Sequence, residues 1–120
     1  MKIKEIKEIL EAEIVGDGTD LETEIKMGCG ADLMSDVLAF IKSDSLLFTG
    51  LINPQVVRTA EMSDIKAICF VRGKMPLPET IELAEEKNIP LLSTKLPMYE
   101  SCGRLYQKGL SGCSGHKDKW

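Results

Sequence analysis

Residues 27–41 read Met-Gly-Cys-Gly-Ala-Asp-Leu-Met-Ser-Asp-Val-Leu-Ala-Phe-Ile. Ile25, Met27 and Cys29 alternate as a half-buried strand does, and Leu33, Val37, Leu38 and Ile41 recur at the spacing of one helical face. The stretch therefore predicts a strand from Ile25 to Cys29, a glycine turn and a helix ending between Phe40 and Ser43. Gly28 and Gly30 allow the backbone to turn tightly or to approach a ligand, and Asp32, Ser35 and Asp36 fall where side-chain oxygens cap free helix amides. Cys29 stands between the glycines, either as a small residue filling the turn, the commoner case, or as a thiol facing a ligand.

Working outward, apolar runs begin at Leu46, Ala67 and Pro90 and alternate with helical patterns. Asn53-Pro54 starts a helix with an N-cap and a proline in its first turn, reaching about Met62. Residues 78–87 form the next helix, with Ile81 and Ala84 inward, and residues 97–108 the last. Strand, crossover helix and parallel strand repeat at this spacing, so the expected fold is α/β, a mostly parallel sheet of about five short strands with helices packed on it. Ahead of it, Ile3, Ile6, Ile9 and Leu10 share one face of a short amphipathic helix, Ile14 and Val15 read as a brief strand, and residues 16–20 are a turn.

In a sheet of this kind ligands bind at the carboxyl ends of the strands. The candidate ligand-binding residues there are Gly28, Cys29, Gly30, Asp32, Ser35, Thr49, Arg72, Lys74, Ser93, Thr94 and Lys95. Turn amides opening a helix, with Arg72, Lys74 and Lys95 on neighbouring strand ends, suit a phosphate or another small anion. Asp32 and Asp36 count against it, because a carboxylate capping the helix competes for the same amides.

Composition narrows the function classes. At 120 residues the chain is long enough for one domain with a real core, and a net charge of −4 with a pI near 5.0 argues against a nucleic-acid module. Neither a membrane-spanning run nor a secretory signal is visible, so a cytoplasmic location is expected. The four cysteines, Cys29, Cys69, Cys102 and Cys113, lack paired Cys-x-x-Cys spacing and read as reduced thiols, with Cys69 in the core. Gly28-x-Gly30-x-x-Leu33 lacks the third glycine of a dinucleotide fingerprint, and no P-loop run occurs. The single histidine, His116, lies in a glycine-, serine- and charge-rich tail, which leaves no evident general base. Cys113 and His116 are two ligands and do not close a metal site. The chain is expected to be no enzyme and to need no cofactor or metal.

The opening Met-Lys-Ile-Lys-Glu-Ile-Lys-Glu-Ile-Leu-Glu-Ala-Glu-Ile-Val-Gly-Asp-Gly resembles the start of the N-terminal domains of HPr kinase/phosphorylase and of MurE/MurF-type ligases. Asp32-Leu-Met-Ser-Asp-Val-Leu-Ala39, Asn53-Pro54, Ile89-Pro-Leu-Leu-Ser-Thr94 and Gly103-Arg-Leu-Tyr106 are together similar to small stand-alone DRTGG-domain proteins. The likeness runs to about Leu110, although the literal string Asp-Arg-Thr-Gly-Gly is absent. It implies a DRTGG-like domain over residues 1–110, and the glycine-, serine- and charge-rich composition beyond it makes residues 111–120 an expected flexible tail. Such domains occur fused to phosphotransacetylases and between the CBS domains of some pyrophosphatases, without known catalytic residues. Two roles follow as expectations: a regulatory domain that senses a nucleotide or phosphorylated metabolite, or a homodimeric interaction module acting on a partner enzyme with no small ligand. A small sheet that leaves an edge or helix face to cover favours the dimer in either case.

Overall fold

The computed structural model describes residues 1–114. Its elements in chain order are α1 (Ile3–Leu10), β1 (Glu13–Val15), β2 (Met27–Gly30), α2 (Met34–Phe40), β3 (Ser45–Thr49), α3 (Pro54–Met62), β4 (Ala67–Phe70), α4 (Pro78–Glu86), β5 (Leu91–Ser93), α5 (Met98–Gln107) and β6 (Ser111–Gly112). Six strands make one sheet in the order β1-β5-β4-β3-β2-β6, parallel throughout except for β1, which runs antiparallel to β5.

The alternation of side chains along each strand divides the core in two. Leu46 and Phe48 of β3, Ala67 and Cys69 of β4 and Leu92 of β5 face α1 and α5, where they pack with Ile3, Ile6, Leu10 and Leu105. Leu47, Ile68, Phe70 and Leu91 face the opposite way, against Val37 of α2, Val56, Val57 and Ala60 of α3 and Ala84 of α4. Strands buried on both faces are continuous apolar runs, which is why β3 to β5 are readable in the sequence. Three crossover helices cover one face. The fourth connection, α5, carries the chain back across the other face from β5 to β6, so β6 lies beside β2.

The start of the chain is tied down locally. Glu5 accepts from the Lys2 amide at 3.1 Å, and the left-handed Glu11 (φ 52°) ends α1. Glu22 bonds both Lys2 and Lys4 at 2.9 Å, and the amino terminus pairs with Glu24 and donates to the Ile25 carbonyl. Met1 and Leu110 border one shallow depression, which brings the first residue close to the end of the last helix connection.

Three expectations change. Gly28 and Gly30 lie inside β2 rather than in a turn: the strand pairs with β3 from Met27 to Gly30. The strand begins at Met27 because the Ile25 amide donates to the Met1 carbonyl at 2.7 Å instead of joining the ladder. The mostly parallel sheet of short strands with helices packed on it is the fold expected, and its sixth strand falls where the sequence suggested tail: Ser111 and Gly112 pair with Met27 and Gly28. Main-chain pairing needs no apolar side chain, so a Ser-Gly strand leaves no pattern to read. His116 lies outside the described residues.

Candidate functional site

The carboxyl ends of β2, β3, β4 and β5 and the starts of α2, α3 and α5 meet at one edge of the sheet. Asp32, just past β2, reaches the end of β3, where one carboxylate oxygen accepts from the Thr49 hydroxyl at 2.9 Å and from the Gly50 amide at 2.8 Å. The Thr49 hydroxyl in turn accepts from the Leu51 amide at 3.2 Å, and Asn53 caps α3 by accepting from the Gln55 amide at 3.1 Å. Asp32 therefore does not cap α2, whose N-cap is Leu33 with no side-chain bond. It staples two strand ends together.

At the end of β4, Arg72 (φ 62°) and Gly73 (φ 71°) are both left-handed, and their amides donate to the Leu96 and Thr94 carbonyls at 2.9 and 2.8 Å. Two consecutive residues in that region fold the chain back sharply onto the end of β5. The hydroxyls of Ser93 and Thr94 are committed to the fold, donating at 2.8 Å to the carbonyls of Lys74 and Leu10. The charged heads are not committed. Arg72, Lys74 and Lys95 are exposed and make no ion pair among the described residues, as is also true of Lys42, Arg58 and Lys108, while Lys2, Lys4, Lys26, Lys66 and Lys87 are each paired with a carboxylate.

The candidate residues thus separate into two places. Asp32, Thr49, Arg72, Lys74, Ser93, Thr94 and Lys95 gather at the carboxyl edge, with Ser35 in the first turn of α2 beside it. Gly28, Cys29 and Gly30 instead line a partly open cavity of about 150 Å³ beside α5, shared with Phe48, Cys102, Leu105, Tyr106 and Leu110. Their role as turn amides opening a helix is corrected: a β-carbon on Gly28 would stand 3.3 Å from Leu110, and one on Gly30 would stand 3.0 Å from the Cys102 sulfur. The glycines let α5 and Leu110 settle directly on the strand. Burial pushes the Cys29 thiol up to about 11, with Cys113 and Cys102 adding to it, and raises Cys102 as well; Cys69, more deeply buried, is pushed up to about 12. Neutral thiols are poor nucleophiles.

Among the described residues, no three His, Cys, Asp or Glu side chains group as a metal site, and no helix is long and apolar enough to cross a membrane. The 150 Å³ cavity is small against the roughly 300–1,000 Å³ of ordinary ligand pockets. A wider depression of about 570 Å³ lies at the opposite, amino edge, around Asp44, Asp64, Lys66 and Lys87. Sequence reasoning passed over the outer face of α5, where Tyr99 and Tyr106 stand free on either side of Gly103. Their spacing of seven residues was the available signal.

Residues 5–107 match the family model of the DRTGG domain. The chain belongs to the DRTGG family. No curated protein matches it. Among solved structures, the DRTGG chain is similar to the CBS and DRTGG domains of the regulatory region of Clostridium perfringens pyrophosphatase, a structure complexed with its activator, diadenosine tetraphosphate. The TM-score is 0.67 at 16% identity, over 88% of this chain and 46% of that one. The likeness is one of fold, and the DRTGG chain spans about half the length of that relative.

Proposed function

We propose that this DRTGG domain is a non-catalytic regulatory module that binds a small anionic ligand, a nucleotide or phosphorylated metabolite, at the carboxyl edge of its sheet and acts on a partner enzyme. The observation that carries this reading is where the charges lie: Arg72 and Lys74 follow β4 and Lys95 follows β5 at one carboxyl edge of an acidic chain, exposed and without an ion pair among the described residues. Unpaired cations on adjacent turns, close to the start of α3, attract phosphate groups and form charge-assisted bonds with them. The activator bound in the pyrophosphatase regulatory region makes adenine dinucleotides the first probes to try. The resemblance of residues 1–18 to the openings of the HPr kinase/phosphorylase and MurE/MurF domains belongs to the same reading, as does a unit closing near Leu110.

The test is a thermal-shift series at low salt with adenine and uridine nucleotides, diadenosine tetraphosphate, acetyl phosphate and inorganic phosphate, since salt screens exposed charges. Stabilisation is expected to grow with ligand concentration as linkage requires and to vanish when Arg72 and Lys74 are both changed to Ala. A shift indifferent to that double change, or none with any anion, favours the second reading, an interaction module without a ligand. The exposed tyrosines of α5 are the observation on its side.

A further inference from the structure

Two thiols that the regulatory reading leaves unused meet at the β6 edge of the sheet. The ladder sets Met27 opposite Ser45 and Cys29 opposite Leu47, so Cys29 and Ser45 lie on the side that Leu47 faces, toward α2 and α3. On the outer side of β2, Ser111 stands opposite Met27 and Gly112 opposite Gly28, and one further step in that register brings Cys113 beside Cys29. Cys113 turns to the same side. Its sulfur lies 3.3 Å from the Ser45 hydroxyl and 3.8 Å from the Gly28 carbonyl, close enough to the Cys29 thiol to help raise its pKa. Cys102 belongs to the opposite face, where its sulfur lies over Gly30, and Cys69 is fully buried in β4. A cysteine that only fills space needs no second thiol beside it.

We propose that Cys29 and Cys113 form a reversible disulfide that fastens β6 to β2. Neighbouring strands lie about 4.8 Å apart, inside the roughly 4.4–6.8 Å between α-carbons that a disulfide spans, and residues in register direct their β-carbons to one face. Both residues are half-buried, so a small oxidant can reach them. That oxidant is a low-molecular-weight disulfide such as oxidised glutathione. Cys113, at the outer edge, loses its proton and attacks one glutathione sulfur, releasing one reduced glutathione. The Cys29 thiolate then attacks the Cys113 sulfur of the mixed disulfide, and the second glutathione leaves as a thiol. Two protein thiols are oxidised, and one glutathione disulfide is reduced to two thiols. Burial of Cys29 makes the second step the slow one. The bond has a structural consequence. β6 is two residues long and pairs with β2 alone, so the reduced edge opens readily, whereas the disulfide closes a loop over most of the chain and holds Ser111 and Gly112 against the cavity beside α5. The pair does not require an anion at the carboxyl edge.

The test is mass spectrometry of the full chain, reduced with dithiothreitol, freed of it and equilibrated with excess oxidised glutathione under native conditions. The expected product is an unadducted chain lighter by two hydrogens, whose unreduced digest contains a peptide pair joining Cys29 to Cys113. Its melting temperature should rise by roughly 10 °C, as closing so long a loop implies, and return to the starting value with dithiothreitol. Cys113→Ser should abolish the product and Cys102→Ser should leave it, with circular dichroism showing both variants folded. A chain that keeps both thiols free, that stops at glutathione adducts, or that joins either cysteine to Cys102 overturns the proposal. So does a Cys29–Cys113 bond that leaves the melting temperature unchanged, because β6 would then not be fastened by it.

Discussion

Changing Asp32 to Ala removes the one carboxylate that joins the ends of β2 and β3. Two bonds are lost, to the Thr49 hydroxyl at 2.9 Å and the Gly50 amide at 2.8 Å. Hydrogen bonds to a charged acceptor contribute about 1.5–3 kcal/mol each, and Asp32 is exposed, so the lower end applies. The Gly50 amide can turn to water. Thr49 cannot do so readily because the residue is fully buried, and its hydroxyl proton, left without an acceptor while the oxygen still accepts from the Leu51 amide, carries most of the cost. The sum is about 2 kcal/mol, or about 1 M in urea midpoint for a slope near 2 kcal/mol/M. Asp32→Asn keeps an acceptor without charge and should lose about half as much. Because the acidic staple lies beside the unpaired cations, Asp32→Ala should also strengthen phosphate binding at that edge while weakening the fold, two effects of opposite sign from one substitution. A double-mutant cycle with Thr49→Val completes the assay, with a coupling of about 1 kcal/mol expected between the two positions. A midpoint unchanged within 0.2 M by about the same urea slope, or strictly additive losses, would refute the assignment of the staple.

Gly30→Val should destabilise by about 1–3 kcal/mol, since its side chain must displace the Cys102 and Met98 sulfurs from α5; urea denaturation reads it. Asn53→Ala removes the cap of α3 and should cost about 1 kcal/mol in the same measurement. At alkaline pH the thiols work against the fold: up to the ordinary pKa of 9.0 both states keep their protons, but above it the unfolded chain ionises while Cys69 holds its proton to about 12, so stability should fall between those values and Cys69→Ala should flatten the decline. At the acid end, hydrogen bonds from Lys2 and Lys4 hold Glu22 at about 2 against an ordinary 4.5; its contribution is full above 4.5 and is lost as pH falls toward 2, and Glu22→Gln should remove that limb from the pH–melting curve.

Much of the architecture was legible because β3, β4 and β5 are buried on both faces and write themselves as Leu-Leu-Phe, Ala-Ile-Cys-Phe and Leu-Leu between helical patterns. β2 was expected as a strand, but its bounds and the turn after it were misjudged for the same physical reason in reverse. Two of its four residues are glycines whose purpose is the missing side chain, and a local reading credits glycine to turns before it considers a helix lying on top. Topology brings Thr49, Arg72, Lys74, Ser93, Thr94 and Lys95 to one carboxyl edge but not Gly28 and Cys29, and the partner of Asp32 was not legible, because a capping oxygen and a cross-strand staple look alike until the strand order sets β3 beside β2. Tyr99 and Tyr106 could be assigned to one helical stripe from spacing alone. Which stripe faces outward was decided by Ser101 and Leu105, buried on the opposite side of α5.

The nearness of Met1 to Leu110 has an engineering consequence. A fold whose first residue lies beside the connection into its last strand can be reopened elsewhere without redrawing its topology, and the left-handed turn at Arg72 and Gly73, exposed at the carboxyl edge of the sheet, is a natural place to cut. A circular permutant in which a Gly-Ser linker leads from beyond β6 back to Met1, opened at Gly73, would keep the strand neighbours β1-β5-β4-β3-β2-β6 while exchanging the sequence order of the two βα halves.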